Sequence, residues 1–338
     1  MNILVTGGLG YIGSHTALEL IKNRYKVTIL DNLSNSYKKN LNKIEKISNQ
    51  HVNFFEGDIR DKNIVNKIIK NKKISAIMHF AGLKSVRKSE IEKSEYYDVN
   101  VNGTQTLLDC FEKVKNGPKL FVFSSSACVY GDPLYLPYDE NHIIEPQNYY
   151  GVTKFKAEQL LEKMFKKDKE WKIGILRYFN PIGSHFSGLI GDDPKGSAEN
   201  LMPNILKAID NKNKLKIFGS DHLTPDGTAV RDFIHVEDLV NGHVLTLNFL
   251  LKKNKSVYEI FDIGTGQGLS VLELIKTFER INNVKISFEY IEKRQGDLPI
   301  YFSSAKKIKK KLNWSAKLSV EDMCKSSWEF YKYNREKI

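Results

Sequence analysis

Between an apolar run, Ile3 to Thr6, and a helix-like stretch from Ser14 to Asn23 stands Gly7-Gly8-Leu9-Gly10-Tyr11-Ile12-Gly13. Glycines at this spacing allow a tight turn out of a buried strand. They also let the backbone approach a pyrophosphate, which then rests on the N-terminus of the next helix. An ordinary glycine turn would satisfy the same letters. The strand–turn–helix context favours a dinucleotide cradle built on Gly7, Gly10, Tyr11, Ile12 and Gly13, and with it a parallel α/β sheet.

The rest of the first half keeps that alternation. Lys26 to Leu30 reads as a second strand ending at Asp31, Val52 to Phe55 precedes Gly57-Asp58, and Ile74 to Phe80 precedes Ala81-Gly82. Leu120 to Phe123 leads into Ser124-Ser125-Ser126, and Ile173 to Tyr178 into Asn180-Pro181. Strands alternating with helices predict a sheet covered on both faces, with ligands at the C-terminal strand ends. The expected fold is a Rossmann-type doubly wound α/β domain over residues 1–180. Beyond it, Gly183, Gly188, Gly191, Pro194, Gly196 and Pro203 break the rhythm. A smaller mixed α/β domain is expected over 181–338, with strands near Leu215–Phe218, Tyr258–Ile263 and Ile286–Tyr290. Some later segments are expected to return to the first domain.

A chain of 338 residues, 41% hydrophobic, can bury the cores of two such domains. Its 52 Lys and Arg against 40 Asp and Glu give a formal net charge of +12. The lysines scatter over polar stretches such as 62–73 and 306–311, so a solvated basic surface is expected and nucleic-acid binding is not. An anionic small molecule is the better partner. Cys110, Cys128 and Cys324 are odd in number and far apart, which suggests a reducing, cytoplasmic setting without a zinc site. Met1-Asn2-Ile3 enters a strand directly, so no signal peptide is expected, and no apolar run is long enough to span a bilayer.

Asp31 closes the second strand about twenty residues past the glycines, where an acid accepts from ribose hydroxyls. A carboxylate there repels a 2′-phosphate and favours NAD over NADP. Asp58, after the third strand, is placed to meet the adenine or is a turn aspartate. Asp262-Ile263-Gly264-Thr265-Gly266-Gln267-Gly268 resembles the loop of adenosylmethionine-dependent methyltransferases. Too little chain follows to build their sheet, so a structural turn is expected.

In Tyr150-Gly151-Val152-Thr153-Lys154, positions four apart share a helix face and place the lysine beside the phenol. Lowering a phenol from about 10 to about 7 takes roughly 4 kcal/mol. One cation at about 4 Å supplies about that much at an effective dielectric near 20, before the cost of burying the phenolate. By this arithmetic Lys154 alone is marginal.

The glycine motif, Ser124-Ser125-Ser126 leading to Val129-Tyr130-Gly131, and Tyr150-x-x-x-Lys154 resemble the extended short-chain dehydrogenase/reductase family. Within it the chain resembles the UDP-glucose (UDP-galactose) 4-epimerases. That likeness rests on Leu30-Asp31-Asn32-Leu33, Glu56-Gly57-Asp58-Ile59-Arg60, His79-Phe80-Ala81-Gly82-Leu83-Lys84, Tyr96-Tyr97-Asp98 and Asn100-Val101-Asn102-Gly103-Thr104. It continues through Leu176-Arg177-Tyr178-Phe179-Asn180-Pro181, Asn200-Leu201-Met202-Pro203, Val230-Arg231-Asp232-Phe233-Ile234-His235-Val236 and Gly296-Asp297-Leu298-Pro299.

The resemblance implies an isomerase that interconverts UDP-galactose and UDP-glucose through a 4-keto intermediate with tightly bound NAD. Tyr150 would be the base at the sugar 4-hydroxyl, helped by Lys154 and the oxidised nicotinamide, with Ser126 as a hydrogen-bonding relay. It implies NAD contacts for Asp31, Asn32, Asn35, Asp58, Ile59, Phe80, Ala81, Gly82, Lys84, Asn100, Ser124 and Tyr178. Arg231 and Arg294 would clamp the diphosphate. Asn180 and Asn200 would meet the diphosphate or sugar, Leu201 and Phe218 the uracil region, and Asp297 the uridine ribose. Members are commonly homodimers, and helices near Tyr97–Phe111 and Tyr150–Met164 are candidates for the contact unless their apolar faces are core.

Three positions depart from or refine the pattern. Cys128 replaces a threonine and Tyr149 a proline; Thr153, four residues beyond Tyr149, carries no charge, so Tyr150 remains the expected base. The bulk of Tyr301 suggests UDP-glucose and UDP-galactose over N-acetylated sugars. A 4,6-dehydratase would need an acid where Ala127-Cys128 stands. A non-catalytic NAD-sensing protein would have no use for Ser126, Tyr150 and Lys154 together.

Overall fold

The computed structural model describes residues 1–115, 117–196, 198–294 and 297–335. The first half runs β1 (Asn2–Thr6), α1 (Tyr11–Lys22), β2 (Lys26–Asp31), α2 (Lys39–Ser48), β3 (Asn53–Glu56), α3 (Lys62–Asn71), β4 (Ile74–His79), α4 (Val86–Ile91), α5 (Lys93–Tyr97), α6 (Gly103–Glu112), β5 (Lys119–Ser126), α7 (Tyr149–Lys167) and β6 (Trp171–Tyr178). It continues with β7 (Asn180–Ile182), α8 (Leu201–Asp210), β8 (Leu215–Phe218), β9 (Val230–Arg231), β10 (Phe233–His235), α9 (Val236–Leu251), β11 (Val257–Ile263), β12 (Leu269–Ser270), α10 (Val271–Asn282), β13 (Phe288–Ile291), β14 (Ile300–Tyr301), α11 (Lys306–Leu312) and α12 (Val320–Arg335).

Seven strands form one sheet in the order β11-β6-β5-β4-β1-β2-β3, and the pairings from β3 to β6 are parallel. Strands covered on both faces need continuous apolar runs. Ile3, Leu4 and Val5 are fully buried, each contributing about 1.5–3 kcal/mol. Chain order runs outward in opposite directions from β1 and β4, the switch point at which a doubly wound Rossmann-type sheet takes its ligand.

Two local expectations are corrected. The first helix starts at Tyr11 and not Ser14, because Gly10 is already its extended N-cap. The serine triplet does not follow β5 but ends it, since β5 stays paired with β6 as far as Ser126 opposite Tyr178. The strand near Tyr258 joins the large sheet beside β6.

The chain divides into two compact units, one of Met1–Gly131, Ile143–Tyr178 and Val240–Phe261, the other of Asp132–His142, Phe179–Leu239 and Asp262–Ile338. In the first, Leu107, Leu108 and Phe111 of α6 and Ala157, Leu161 and Met164 of α7 belong to the core. The helical path between α5 and α6 widens into a π turn at Asp98–Asn102. In the second, short sheets (β7 with β10, β8 with β13, and β12-β9-β14) accompany a core that includes Leu206, Leu274, Phe278 and Met323.

The second glycine run wraps a buried carboxylate. Asp232 accepts from Thr265 N at 2.8 Å, Thr265 Oγ1 at 2.6 Å, Gly266 N at 3.2 Å, Ser303 N at 3.1 Å and Ser303 Oγ at 2.7 Å. A Cβ at Gly264 would stand 2.3 Å from an Asp232 oxygen, which accounts for glycine there without a cofactor. Among the described residues no helix is long and apolar enough to cross a membrane.

Candidate active site

The glycine turn is a cradle because it leaves no room for side chains. Gly7 has φ +67°, and a Cβ at Gly13 would lie 2.2 Å from the Gly7 carbonyl oxygen. Gly10 starts α1 without a side-chain cap, leaving a helix N-terminus of the kind that receives a phosphate. Asp31, at the end of β2, accepts from Leu9 N at 2.9 Å, Leu33 N at 2.9 Å and Ser36 Oγ at 2.7 Å. These bonds fix its carboxylate at the C-terminal end of β2. The cradle and the acid together fit a dinucleotide lacking a 2′-phosphate.

Around that cradle, Asn32 Nδ2 donates to Asp58 at 3.1 Å. The hydrogen bond from Arg60 brings Asp58 down to about 2 against the opposing effect of burial, and Arg60 also bonds Asp98 at 2.7 Å. Asp58 is therefore an anchored anion, more than a turn residue. Ile59 is buried, whereas Asn35, Gly82 and Lys84 are exposed and Phe80 and Ala81 half-buried. The π turn carries Asn100, whose Nδ2 donates to Leu83 O at 3.1 Å and Thr153 Oγ1 at 3.0 Å while its Oδ1 accepts from Leu83 N at 2.8 Å. Asn100 thereby ties the loop after β4 to α7.

Helix α7 is capped by Asn148, whose side chain accepts from Gly151 N at 2.8 Å. Its first turns carry Tyr150, 8% exposed, and Lys154, 6% exposed, against the serines of β5. Lys154 Nζ donates to Ser124 O at 2.9 Å and lies 5.8 Å from the Tyr150 ring centroid. Ser126 is hydrogen-bonded to the Tyr150 side chain and accepts from Cys128 N at 3.2 Å. Ser124 Oγ and the Tyr178 hydroxyl share a hydrogen bond. By contrast, Tyr149 donates its backbone N–H to Glu90 at 2.6 Å, and its ring lies under Lys93.

The electrostatics bear on the expectation that Lys154 alone is marginal for Tyr150. Burial drives the Tyr150 phenol well above its ordinary value; Tyr178 and Cys128 add to this, and the Ser126 bond opposes it. Burial likewise lowers Lys154 to about 8, opposed by Glu158. Burial is the largest cause of both shifts, and it favours the neutral form of each group.

In the second unit, Arg231 NH1 donates to Val230 O and Leu298 O, both at 2.8 Å, and its NH2 is ion-paired with Asp297. Asp297, expected to face a ribose, is thus paired with the arginine expected to face the diphosphate. The Arg294 guanidinium lies 3.7 Å over the Phe218 ring. Asn180 N–H donates to Asp232 O at 3.0 Å. Asn200 stands at the N-cap position of α8 without a side-chain cap, and its Nδ2 donates to Asp192 at 2.9 Å. Tyr301 packs against Tyr138 and Phe179 with centroids 5.0 Å away in each case. Sequence reasoning missed Asp232, Glu158 and Arg177. For Glu158 a signal was present: it stands eight residues beyond Tyr150, two helical steps along the same face.

Comparison with known proteins agrees along the whole chain. Residues 3–264 match the NAD dependent epimerase/dehydratase family. The chain is 43% identical to a UDP-glucose 4-epimerase of Bacillus subtilis (strain 168), covering 99% of this chain and 98% of that one. It is 45% identical to the UDP-glucose 4-epimerase of Pasteurella multocida (strain Pm70), with the same coverage. A solved UDP-glucose-4-epimerase from Stenotrophomonas maltophila, with bound NAD and formylated UDP-arabinopyranose, superposes with TM-score 0.95 at 39% identity, covering all of both chains. That of Bifidobacterium longum, in complex with NAD+ and UDP, gives 0.94 at 38% identity, again over all of both chains.

Proposed function

The chain belongs to the NAD dependent epimerase/dehydratase family, and from that premise we propose that it is an isomerase interconverting UDP-galactose and UDP-glucose, with NAD as cofactor. The observation that carries this reading is the buried Ser126–Tyr150–Lys154 cluster in a chain similar from end to end to UDP-glucose 4-epimerases. NAD, when bound, supplies a reversible hydride acceptor for sugar C4 and a positive ring. Gly7, Gly10, Gly13 and Asp31 hold the dinucleotide; Asp58, Asn100, Ser124 and Tyr178 support its surroundings.

Tyr150 Oη takes the proton from the sugar 4-hydroxyl and returns it after the resulting 4-ketose has presented its other face. Ser126 hydrogen-bonds the same sugar oxygen and moves with the proton. Lys154 contributes positive charge beside Tyr150 in its protonated form. Burial holds the Tyr150 phenol above its ordinary value, and a positively charged acceptor ring beside it would favour the phenolate. In the second unit, Arg231 and Arg294 neutralise the diphosphate. Asn180, Asn200, Leu201 and Phe218 meet the rest of the UDP-sugar, and Asp297 leaves Arg231 for the uridine ribose. The bulk of Tyr301 favours glucose and galactose over N-acetylated sugars.

Incubating the purified protein with UDP-galactose and no added NAD tests the reading. UDP-glucose should accumulate to equilibrium. No UDP-glucose, with or without added NAD, would sink the proposal, and a 4-keto-6-deoxy product would mark a dehydratase instead. We place the work in the cytoplasm, consistent with the free thiols Cys110, Cys128 and Cys324. We also propose a homodimer through the less buried face of α7, where Val152 and Phe155 are half-buried. Light scattering on the eluting protein should give twice the chain mass; a monomer at assay concentration would discard the dimer.

A further inference from the structure

We propose that Glu158 is a positioning residue for this reaction: joined to Arg177 in a buried, hydrogen-bonded pair one turn beyond Lys154 on α7, it keeps the Lys154 ammonium charged beside Tyr150. The inference rests on the epimerase reading for what the charge does, and on the structure alone for where the charge is.

Residues 150, 154 and 158 follow at four-residue steps and share one helical face. Opposite them, β5 presents Ser126 to Tyr150, the Ser124 carbonyl to Lys154 at 2.9 Å and Ser125 Oγ to Glu158 at 2.5 Å. Glu158 also accepts from Arg177 Nε at 3.0 Å and NH2 at 2.6 Å, and Arg177 NH1 donates to the Tyr130 hydroxyl at 3.0 Å. Both side chains of the pair are 3% exposed. Burying two charges in this way gains little stability, because desolvation offsets their attraction. Its consequence is the field it sets at Lys154.

Among the described residues, the nearest further anion along α7 is Glu162, one turn beyond Glu158. It is ion-paired with Lys166 at 2.7 Å in an exposed setting and acts on Tyr258, whereas Glu158 is the carboxylate that acts on Lys154. His79, on β4, is pushed down to about 3 by burial and is neutral. Tyr178, on β6, is pushed up to about 12 by burial. Burial also raises Tyr150 on α7 and Tyr258 on β11, with Tyr96 and Cys128 nearby raising Tyr150 further. Arg177, on β6, is a cation that Glu158 holds charged against burial. Remove the Glu158 charge, and two buried cations remain with no anion between them. Lys154, already down to about 8, would then lose its proton at lower pH.

Glu158→Gln keeps the shape and removes the charge. In the NAD-loaded enzyme, the alkaline limb of kcat/KM should move down by about one pH unit. A matching fall is expected for the Lys154 ε-carbon in the NMR titration of 13C-lysine-labelled protein, assigned with Lys154→Arg. Glu158→Asp, which retains the charge, should restore the limb at least in part. If Glu158→Gln does not fold, the double variant E158Q/R177M removes the anion together with the cation it leaves behind. The limb and the Lys154 titration should still move down, by less than the shift expected for Glu158→Gln. A folded variant with an unmoved limb and an unmoved Lys154 titration would overturn the proposal and leave a merely structural pair. Failure of the native protein to convert UDP-galactose would instead defeat the epimerase reading, while the NMR titration would still decide whether Glu158 governs Lys154.

Discussion

The Tyr150 cluster and the Arg231 cluster solve opposite problems. The first is buried, held by one long helix against one strand, and most of its polar atoms already have protein partners. The second lies on two-residue strands and connecting segments, is more exposed, and pairs its own charges, Arg231 with Asp297. A base needs a desolvated, fixed setting in which its proton affinity can be shifted. A clamp for a doubly charged diphosphate needs cations that can exchange one partner for another. The proposed base lies in a region where burial sets the proton affinity, and the proposed clamp in one whose charges are already ion-paired.

The largest test of that contrast is Tyr150→Phe. It should lower kcat by about 10²–10⁴-fold while the protein still carries NAD, as read from dinucleotide released on denaturation. Near-normal turnover would move the base elsewhere. Next comes Arg231→Leu, which removes a charge-assisted contact and should raise KM for UDP-galactose by about 10–100-fold. The effect on kcat should be much smaller, so a loss confined to kcat would contradict the clamp. The smallest effect is expected at Tyr301, where substitution by serine should improve the use of UDP-N-acetylglucosamine relative to UDP-glucose. An unchanged ratio of kcat/KM values would discard Tyr301 as a gate.

The same contrast explains what was legible in the amino-acid sequence. Gly7, Gly10, Gly13 and Asp31 announce themselves because a turn, a close approach and a strand end each restrict the residue allowed. Helical spacing puts Lys154 beside Tyr150, and the glycine turn, Asp31 and the family resemblance single the pair out. The second region offered no such periodicity: Arg231, Arg294 and Asp297 could be singled out by resemblance, and their mutual pairing by nothing in the letters. Asp232 was invisible because its donors come from Thr265, Gly266 and Ser303, far along the chain. The π turn that positions Asn100 also escaped, since its residues satisfy an ordinary helical pattern. Burial was the other unreadable quantity, and it decides the sign of the Tyr150 shift.

That sign carries the central proposal, that Tyr150 acts as the base only when the positive charge of the oxidised cofactor joins that of Lys154. The direct measurement is the near-ultraviolet phenolate absorption of native protein minus Tyr150→Phe, recorded near neutral pH with NAD bound and again after the cofactor is stripped. The account predicts a phenolate signal in the NAD-loaded protein that disappears on stripping. A phenolate that persists without the cofactor, or none with oxidised NAD bound, would contradict it.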